Sequence, residues 1–293
     1  MSQLLPILET INSHERDKNI LFYEPTHTYT IVTDTTNKYT SVTTWNHAQF
    51  PHFNADQVIK NMMRGKNWKE GHKYWGLTAD QIKAQWSSNG AAVSEAGTNM
   101  HYEIECFMNN EKMLEHYTHA DLYTHYLQEQ ELNQELNTNI NPISDTLEWK
   151  YFINFVKENT NLKPYRTEWT VYHEDAKLAG SIDMIYENPD GTLSIYDWKR
   201  AKDITRINTF NKFALNKIIC QMPDSNFWHY ALQLNTYKMI LEDKYGKIVT
   251  DLYLVRLHPE CEDNTYELIK LPDLKKELIE LFAERIKQLV KNA

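Results

Sequence analysis

A predicted β-hairpin that carries three charged side chains constrains this chain more than any other stretch of its sequence. Two short apolar runs flank a tight-turn sequence and predict a pair of antiparallel strands: Leu178 to Tyr186, Asn188-Pro-Asp-Gly191, and Leu193 to Lys199. The first strand carries Asp183, and the second carries Asp197 and Lys199. Side chains two residues apart on a strand share a face, so Asp197 and Lys199 are expected side by side. Two carboxylates and an ammonium group in one hairpin favour a site for a hard divalent cation and a polarised water molecule.

Length and composition predict an ordered intracellular protein. The chain has 293 residues, enough for one large domain or two modest ones, and its 18 Tyr, 10 Phe and 8 Trp argue against disorder. No apolar run approaches the ~18 residues that span a bilayer, and the start of the chain lacks the pattern of a secretory signal. We therefore expect no membrane association and a cytoplasmic location, or the cytoplasm or nucleus of a host cell if the protein is viral.

Three cysteines without a CxxC pair argue against a zinc ribbon, a disulfide framework and a usual iron–sulfur cluster: Cys106, Cys220 and Cys261.

The charge of the chain is unevenly distributed. The formal net charge of −9 argues against indiscriminate coating of nucleic acid. Two stretches are nevertheless basic: residues 199–217 hold six cations and residues 60–73 hold five, with one acid in each and with Trp68 inside the second. Two basic stretches in an acidic protein suggest a confined phosphate-binding groove. Solvated helix faces are the alternative for either stretch alone.

Hydrophobic periodicity predicts helices on both sides of a β-rich block. Residues 21–45 alternate aromatic or β-branched residues with polar ones and predict two strands joined by a turn at Asp34–Asn37. Further strands are predicted at 167–173, in the hairpin 178–186 and 193–199, at 251–257 and at 265–271. Helices are predicted at 54–70, 78–87, 91–109, 112–137, 146–158, 225–243 and 273–291, with Asn54 and Thr78 as N-caps.

This order of elements predicts an α/β fold in which a central mixed β-sheet is flanked by helices. No repeat, low-complexity linker or clean domain boundary is evident in the sequence. Residues 1–90 are nevertheless distinguished as an N-terminal extension or lobe, made of a strand pair and helices. Residues 91–293 then form the core.

Two further side-chain pairs have helical i, i+4 spacing and therefore share a helix face. His101 and Glu105 follow Gly97 before the hairpin, and an imidazole with a carboxylate can ligate a metal or orient its ligands. Gly97 is expected to let the start of this helix approach a neighbouring backbone closely. Gln233 and Tyr237 follow the hairpin, where an amide and a phenol can bracket a lysine or a DNA phosphate. Each pair taken alone is more often an ordinary surface or core pair.

In this order the motifs resemble the PD-(D/E)xK nuclease superfamily, specifically its RecB-like branch. That branch has a helix with GxxxHxxxE, a hairpin with GxxD followed by DxK, and a later helix with QxxxY. The matching residues lie within roughly residues 91–257 of this chain: Gly97, His101 and Glu105; Gly180-Ser-Ile-Asp183; Asp197-Trp-Lys199; Gln233 and Tyr237. The residues around these motifs are similar to those of viral, phage and mitochondrial genome-maintenance exonucleases of the branch.

The resemblance implies a restriction-endonuclease-like core and a role for each motif residue. The catalytic residues would be Asp183, Asp197 and Lys199. One or two Mg²⁺ or Mn²⁺ ions would be held by His101, Asp183, Asp197 and the backbone carbonyl of Trp198, and a histidine ligand favours Mn²⁺. Supporting residues would be Glu105, Glu168, Gln233 and Tyr237, and candidate phosphate contacts would be Arg200, Lys202 and Arg206. Ser181 is expected on the strand face opposite to Asp183 and is interpreted as structural.

The implied activity is metal-dependent hydrolysis of phosphodiester bonds in DNA, and an exonuclease that acts on single strands or DNA ends is preferred. Sequence-independent cleavage agrees with a sequence in which no base-reading motif is recognisable. The helical regions 54–87 and 112–137 are candidate walls of a channel that confines one strand. Two alternatives are a structure-specific or restriction-like endonuclease, and a catalytically inactive nucleic-acid-binding scaffold.

Overall fold

A computed structural model describes residues 6–110, 116–135 and 145–292 of the chain. Within these ranges the helices are α1 (Ile7–Ile11), α2 (Val42–His47), α3 (Ala55–Met63), α4 (Ala79–Met108), α5 (His119–Glu135), α6 (Leu147–Glu158), α7 (Asn226–Lys244) and α8 (Lys275–Asn292). The strands are β1 (Ile20–Tyr23), β2 (Thr28–Ile31), β3 (Thr40–Ser41), β4 (Lys163–His173), β5 (Leu178–Glu187), β6 (Leu193–Lys199), β7 (Val249–Arg256) and β8 (Glu267–Lys270). Both ends of the helix predicted at 112–137 lie outside the described residues.

The described strands form one mixed sheet of six strands and a separate two-stranded hairpin, β1–β2. The order in the large sheet is β3-β5-β6-β7-β8, and β4 also pairs with β5. β5 is antiparallel to β4 and β6, β6 is parallel to β7, and β7 is antiparallel to β8. The mixed sheet predicted from the order of elements is therefore confirmed.

The hairpin predicted between β5 and β6 is also confirmed. The Asn188 N–H donates to the Thr192 carbonyl at 2.8 Å, and Gly191 has a φ of +81°. A residue with a side chain would be strained at this φ, which explains the glycine. Beyond the turn, the two strands pair only as far as Met184 and Tyr196.

Helices cover both faces of the large sheet because consecutive residues of its central strands are apolar and point to opposite faces. On one face, Ile185 and Ile195 join a core with α2, α7 and α8. On the other face, Met184, Tyr196 and Trp198 pack against α4, α5 and α6. The chain thus has an α/β fold in which a mixed sheet lies between helical layers. No helix among the described residues has both the length and the apolarity needed to cross a membrane.

The N-terminal strands differ from the prediction in their partners. β1 pairs with β2 through a turn that contains His27 at a φ of +47°, so this hairpin lies upstream of the predicted turn at Asp34–Asn37. The second strand predicted there contains only the two residues of β3. Ser41 then starts helix α2 by accepting a hydrogen bond from the Thr44 N–H at 3.1 Å. The β-branched residues favour a strand, but the serine N-cap and tertiary packing override that preference.

Two predicted helix boundaries are wrong, although both predicted N-caps, Asn54 and Thr78, are confirmed. The helix expected to reach residue 70 ends at Met63, shortly before Gly65. The break expected near Gly90 is absent, because α4 is one helix of 30 residues. One glycine inside a helix costs about 1 kcal/mol relative to alanine, which a helix with a capping box and a packed C-terminal half can absorb.

The division expected at residue 90 falls inside α4. Upstream of it, β3 hydrogen-bonds β5, and Trp45 belongs to the core on the α7 face. Residues 54–86, by contrast, pack mainly among themselves, with α3 against the first turns of α4 through Ile59 and Ile82. We call residues 54–86 the distal lobe.

His119 is a buried neutral histidine at the start of α5. Its Nε2 lies 2.9 Å from the Tyr186 hydroxyl, and burial lowers the pKa of His119 to about 3. Between that value and the usual value of about 6.5, the unfolded chain binds one proton more at this residue than the folded protein does. Stability therefore falls as the pH falls through this window.

Replacing His119 with glutamine is expected to weaken the acid dependence of stability. Between about pH 6 and about pH 4, this histidine alone lowers the free energy of unfolding by about 1.4 kcal/mol for each unit of pH, and glutamine does not titrate. Urea unfolding of both proteins at several pH values measures the two slopes. Identical slopes would contradict the prediction.

Candidate metal centre

The candidate site forms where β6 separates from β5. β4 pairs with β5 along its length, but on the other edge β3 reaches only the first two residues of β5 and β6 begins only at Met184. Residues 180–183 therefore have no described strand as a partner on that edge. In this gap the Asp183 carboxylate accepts a hydrogen bond from the Trp198 N–H at 3.1 Å. A side chain thus takes the place of a strand-to-strand hydrogen bond at the end of β6.

Three side chains from three different elements meet at this gap. His101 comes from α4, Glu168 from β4 and Asp183 from β5, and one potential ligand atom of each lies within 4.8 Å of the others. His101 Nδ1 is 3.5 Å from Asp183 Oδ2 and 3.9 Å from Glu168 Oε1. Two carboxylates and an imidazole form a donor set that suits Mg²⁺ or Mn²⁺.

His101 is oriented by the backbone of Trp198. Its Nε2 lies 3.0 Å from the Trp198 carbonyl oxygen, so an N–H at Nε2 donates to this oxygen while Nδ1 points to the carboxylates. Burial alone would lower the pKa of His101, but the charge on Asp183 and a hydrogen bond to Glu168 raise it to about 9. The imidazole therefore supplies positive charge between the two carboxylates when no cation is bound.

Glu168 is closer to the centre of the site than its predicted supporting role implies. It lies beside Asp183 across the β4–β5 pair and has a φ of +42°. Backbone strain of this kind costs on the order of 1–3 kcal/mol and concentrates at functional sites. The Ser181 hydroxyl donates to Glu168 Oε2 at 2.8 Å, so Ser181 positions this carboxylate. The expectation that Ser181 lies on the face opposite to Asp183 is therefore wrong, because residues two apart on β5 share a face, and this spacing is the sequence signal that identifies Ser181.

Asp197 and Lys199 form the ion pair that the spacing in the hairpin predicts. Burial and the nearby charge on Asp183 raise the pKa of Asp197 to about 6, against the opposing effect of Lys199. Burial alone lowers the pKa of Lys199, but the charges on Asp197 and Asp183 outweigh it and raise the pKa above its usual range. The ammonium group also lies 4.8 Å from the ring centre of Tyr230 on α7. Lys199 is thus held as a cation next to the cluster.

The cluster differs from the predicted ligand set. Asp197 lies outside the three-residue group, and Glu168 is inside it. The Trp198 carbonyl, predicted as a ligand, contacts His101 Nε2. Glu105 was predicted to work with His101, but the charge that affects it most is that of Glu168. Burial and the Glu168 charge raise the pKa of Glu105 to about 7. Spacing along single elements does not reveal these differences, because they depend on where β5 and β6 separate.

The predicted pair Gln233 and Tyr237 packs behind the gap in β5. A Cβ atom at Gly180 would lie 2.8 Å from both Cε1 and Oη of Tyr237, so the close approach of this ring requires the glycine. Burial raises the pKa of Tyr237 well above its usual value, and the Gln233 amide opposes this shift. Gly97 behaves differently: no described atom lies within 4 Å of a Cβ built there, so its expected close approach to a backbone is wrong.

Two tyrosines at the site escaped the sequence analysis. Tyr230 lies three residues before Gln233 on α7, and this helical spacing is the signal that places it on the same side of the helix. Tyr29 belongs to β2, and burial together with the charge on Glu168 raises its pKa to about 12. Nothing in the local sequence of β2 connects it with the later motifs.

The predicted phosphate contacts have different surroundings. Arg200 Nε lies 2.7 Å from Glu148 Oε1, and Lys202 Nζ lies 2.7 Å from Glu260 Oε2. Arg206 instead lies over the Phe227 ring, 4.2 Å from its centre. In the distal lobe, exposed cations form no ion pair with any carboxylate in the described part of the chain: Lys60, Arg64, Lys66, Lys69 and Lys73.

No protein-family model matches this chain, and a comparison with curated proteins finds no match either. The resemblance to the PD-(D/E)xK nucleases therefore rests on the order of the motifs. The cluster of His101, Glu168 and Asp183 beside Lys199 is the structural observation that bears on it.

A Gly180→Ala change is expected to lower the free energy of unfolding by about 1–3 kcal/mol, because the added methyl group overlaps Tyr237. Gly97→Ala is the matched control, since its methyl group meets nothing and alanine is favoured inside a helix by about 0.5–1 kcal/mol. Urea unfolding measures the free energy of unfolding of both variants.

Adding Tyr237→Leu to the Gly180→Ala protein is expected to restore part of the lost stability, since residues in contact are energetically coupled. Equal effects of the two alanine changes would contradict this account.

A second prediction concerns binding of the cation itself. Mn²⁺ at about 100 times its Kd is expected to raise the free energy of unfolding of the wild type by about 2.7 kcal/mol. Glu168→Gln removes a carboxylate ligand and is expected to lose most of this gain, whereas Glu280→Gln on the exposed surface of α8 keeps it. Thermal unfolding with and without Mn²⁺ provides the comparison. An unchanged Mn²⁺ effect in Glu168→Gln would remove Glu168 from the ligand set.

Proposed function

We propose that the protein is a metal-dependent deoxyribonuclease of the PD-(D/E)xK type, with a restriction-endonuclease-like core. It would hydrolyse phosphodiester bonds in single-stranded DNA or at DNA ends, most readily as an exonuclease. The observation that carries this proposal is the meeting of His101, Glu168 and Asp183 beside the ion pair of the buried Asp197 with Lys199.

The chemistry of these residues suits a divalent cation. Burial raises the pKa values of Asp183 and Asp197, which means that their anionic forms are poorly solvated and favour a neighbouring positive charge. His101 Nδ1, Glu168 and Asp183 would hold the ion. When bound, Mg²⁺ or Mn²⁺ supplies a water of lowered pKa and a Lewis acid for a phosphate oxygen.

Lys199 has a separate task at the scissile phosphate. Because Asp197 and Asp183 keep it protonated, it acts through its charge and its hydrogen bonds rather than as a base. A fixed cation in a site that is partly closed to water stabilises the negative charge that builds on the phosphate oxygens. Asp197 and the Tyr230 ring limit the directions in which the ammonium group can point.

The distal lobe supports a single-stranded substrate. Five of its six exposed cations have no carboxylate partner among the described residues, the sixth, Lys83, being paired with Asp56, and Trp75 in the same lobe is 48% exposed. Trp86 and His101 are 15 residue steps, or about 22 Å, apart along α4, so a strand that reaches from the lobe to the site covers several nucleotides. Neutralised phosphates and aromatic stacking bind single strands without sequence preference. A wall of this kind next to the site favours a strand that enters by a free end.

End-labelled single-stranded DNA is expected to be cut in the presence of Mg²⁺ or Mn²⁺ and to stay intact with a chelator. Lys199→Ala is expected to lower kcat by roughly 10²- to 10³-fold, the usual effect of removing one group that stabilises transition-state charge. Lys270→Ala is the control, since this lysine is on β8, exposed and paired with Asp251. Product ladders from labelled ends measure the rates.

The same assay separates the proposed exonuclease from its alternatives. Covalently closed circular single strands are expected to resist cleavage, whereas equal rates on circular and linear strands would identify an endonuclease. A catalytically inactive scaffold would bind DNA but would show no cleavage that depends on both the metal and Lys199.

A further inference from the structure

The loop between β6 and α7, residues 200–225, begins directly after Lys199 and returns to the helix that carries Tyr230. Both of its ends are therefore at the site. The segment 206–215 of this loop, which we call the loop tip, exposes large apolar side chains to an unusual degree: Ile207 69%, Phe210 81%, Phe213 44% and Leu215 65%. Apolar side chains grouped in this way on a surface indicate a contact with another molecule.

The loop tip is held in place by specific hydrogen bonds. The Asn208 side chain donates to the Asp224 carbonyl and accepts from the Phe210 N–H at 2.8 Å. Trp228 Nε1 donates to the Arg206 carbonyl at 3.1 Å, and Ala214 N–H donates to the Met222 carbonyl at 3.0 Å. The apolar side chains are thus presented to solvent by a fixed backbone, not by an irregular tail.

The charge around the loop tip is positive. Segment 206–215 contains Arg206 and Lys212 and no acid. Neither cation forms an ion pair with a carboxylate of the described residues. An anionic partner that also offers flat apolar surfaces matches this combination of charge and exposed phenyl ring.

Two cations line up along α7 between the site and the loop tip. Lys199 lies 4.8 Å from the ring centre of Tyr230, and Arg206 lies 4.2 Å from that of Phe227. Phe227 and Tyr230 are three residues apart on the helix and share one side of it, with an axial separation of about 4.5 Å. A nucleic-acid strand advances about 3.4 Å per nucleotide in a duplex. The two rings that these cations contact are therefore separated along α7 by a distance comparable to one or two nucleotides of a strand.

We propose that the loop tip is a base-stacking platform, in which Phe210 stacks on an unpaired base one to a few nucleotides from the scissile phosphate while Arg206 contacts the intervening backbone. This inference rests on the proposed nuclease function and adds to it the part of the substrate that is recognised. Stacking on a phenyl ring accepts any base, which agrees with sequence-independent binding.

The test uses Lys199→Ala protein, so that the strand is not cut, and single-stranded oligonucleotides with 2-aminopurine at successive positions. One position is expected to lose fluorescence on binding, because a stacked base is quenched. Adding Phe210→Ala is expected to abolish that loss and to weaken binding roughly 5- to 150-fold, the range for removing one stacked base. Phe210→Trp is expected to retain both effects. Ile248→Ala, which removes another exposed apolar side chain at the far end of β6, is the control.

An abasic site placed at the quenched position provides an independent readout. The abasic site is expected to weaken DNA binding by the Lys199→Ala protein, which retains Phe210, and to have no effect on binding by the protein that also carries Phe210→Ala. If the abasic site weakens binding by the same factor with and without the Phe210→Ala change, or if it does so at every position in the strand, the platform proposal is wrong. Metal-dependent cleavage by the wild type would still support the nuclease proposal in that case. A change in sedimentation of Phe210→Ala without any change in DNA binding would identify the loop tip as a contact between copies of the chain and would also overturn it.

Discussion

The burial of carboxylates in the gap of β5 is the constraint on which the rest of the site depends. Asp197 is buried and Asp183 is half-buried, and an uncompensated buried charge costs several kcal/mol. Compensation comes from the Lys199 ammonium, the His101 imidazole and the Trp198 N–H. These groups belong to β6 and α4, so the two acids are neutralised by the elements that meet where β6 separates from β5.

The separation of the two strands has a second consequence, because it leaves one edge of β5 without a strand partner where Glu168 and Ser181 lie on neighbouring strands. In the proposed function, this gap is where a cation and a phosphate would approach the carboxylates. The loop that carries Phe210 begins directly after Lys199, at the end of β6.

The distal lobe and the loop tip are joined by a short stretch of chain. The Leu215 N–H donates to the Gln49 carbonyl at 2.7 Å, and a few residues later the Phe53 ring lies 6.2 Å from that of Trp86. Exposed aromatic side chains therefore extend from the loop tip towards the lobe. A strand that contacts both would be held on the basic, aromatic side of an otherwise acidic protein.

Much of the fold was predictable because its signals are local. The turn at Asn188–Gly191, the caps Asn54 and Thr78 and the pairing of Asp197 with Lys199 depend on residues close together in the chain. The strand at residues 39–45 and the helix break near Gly90 were predicted wrongly, because packing against distant residues outweighed local preference there.

By itself, the sequence determined which chemical groups this protein has and which of them share a strand or a helix face: His101 with Glu105, Asp197 with Lys199, Gln233 with Tyr237. Only the tertiary structure decided which of them meet. It placed Glu168 in the cluster, left Asp197 outside it, brought the Trp198 carbonyl to His101 and set the Tyr230 ring next to Lys199. The physical reason is that periodicity fixes directions within one element, whereas the distance between elements depends on where the sheet opens and on which charges its interior must neutralise.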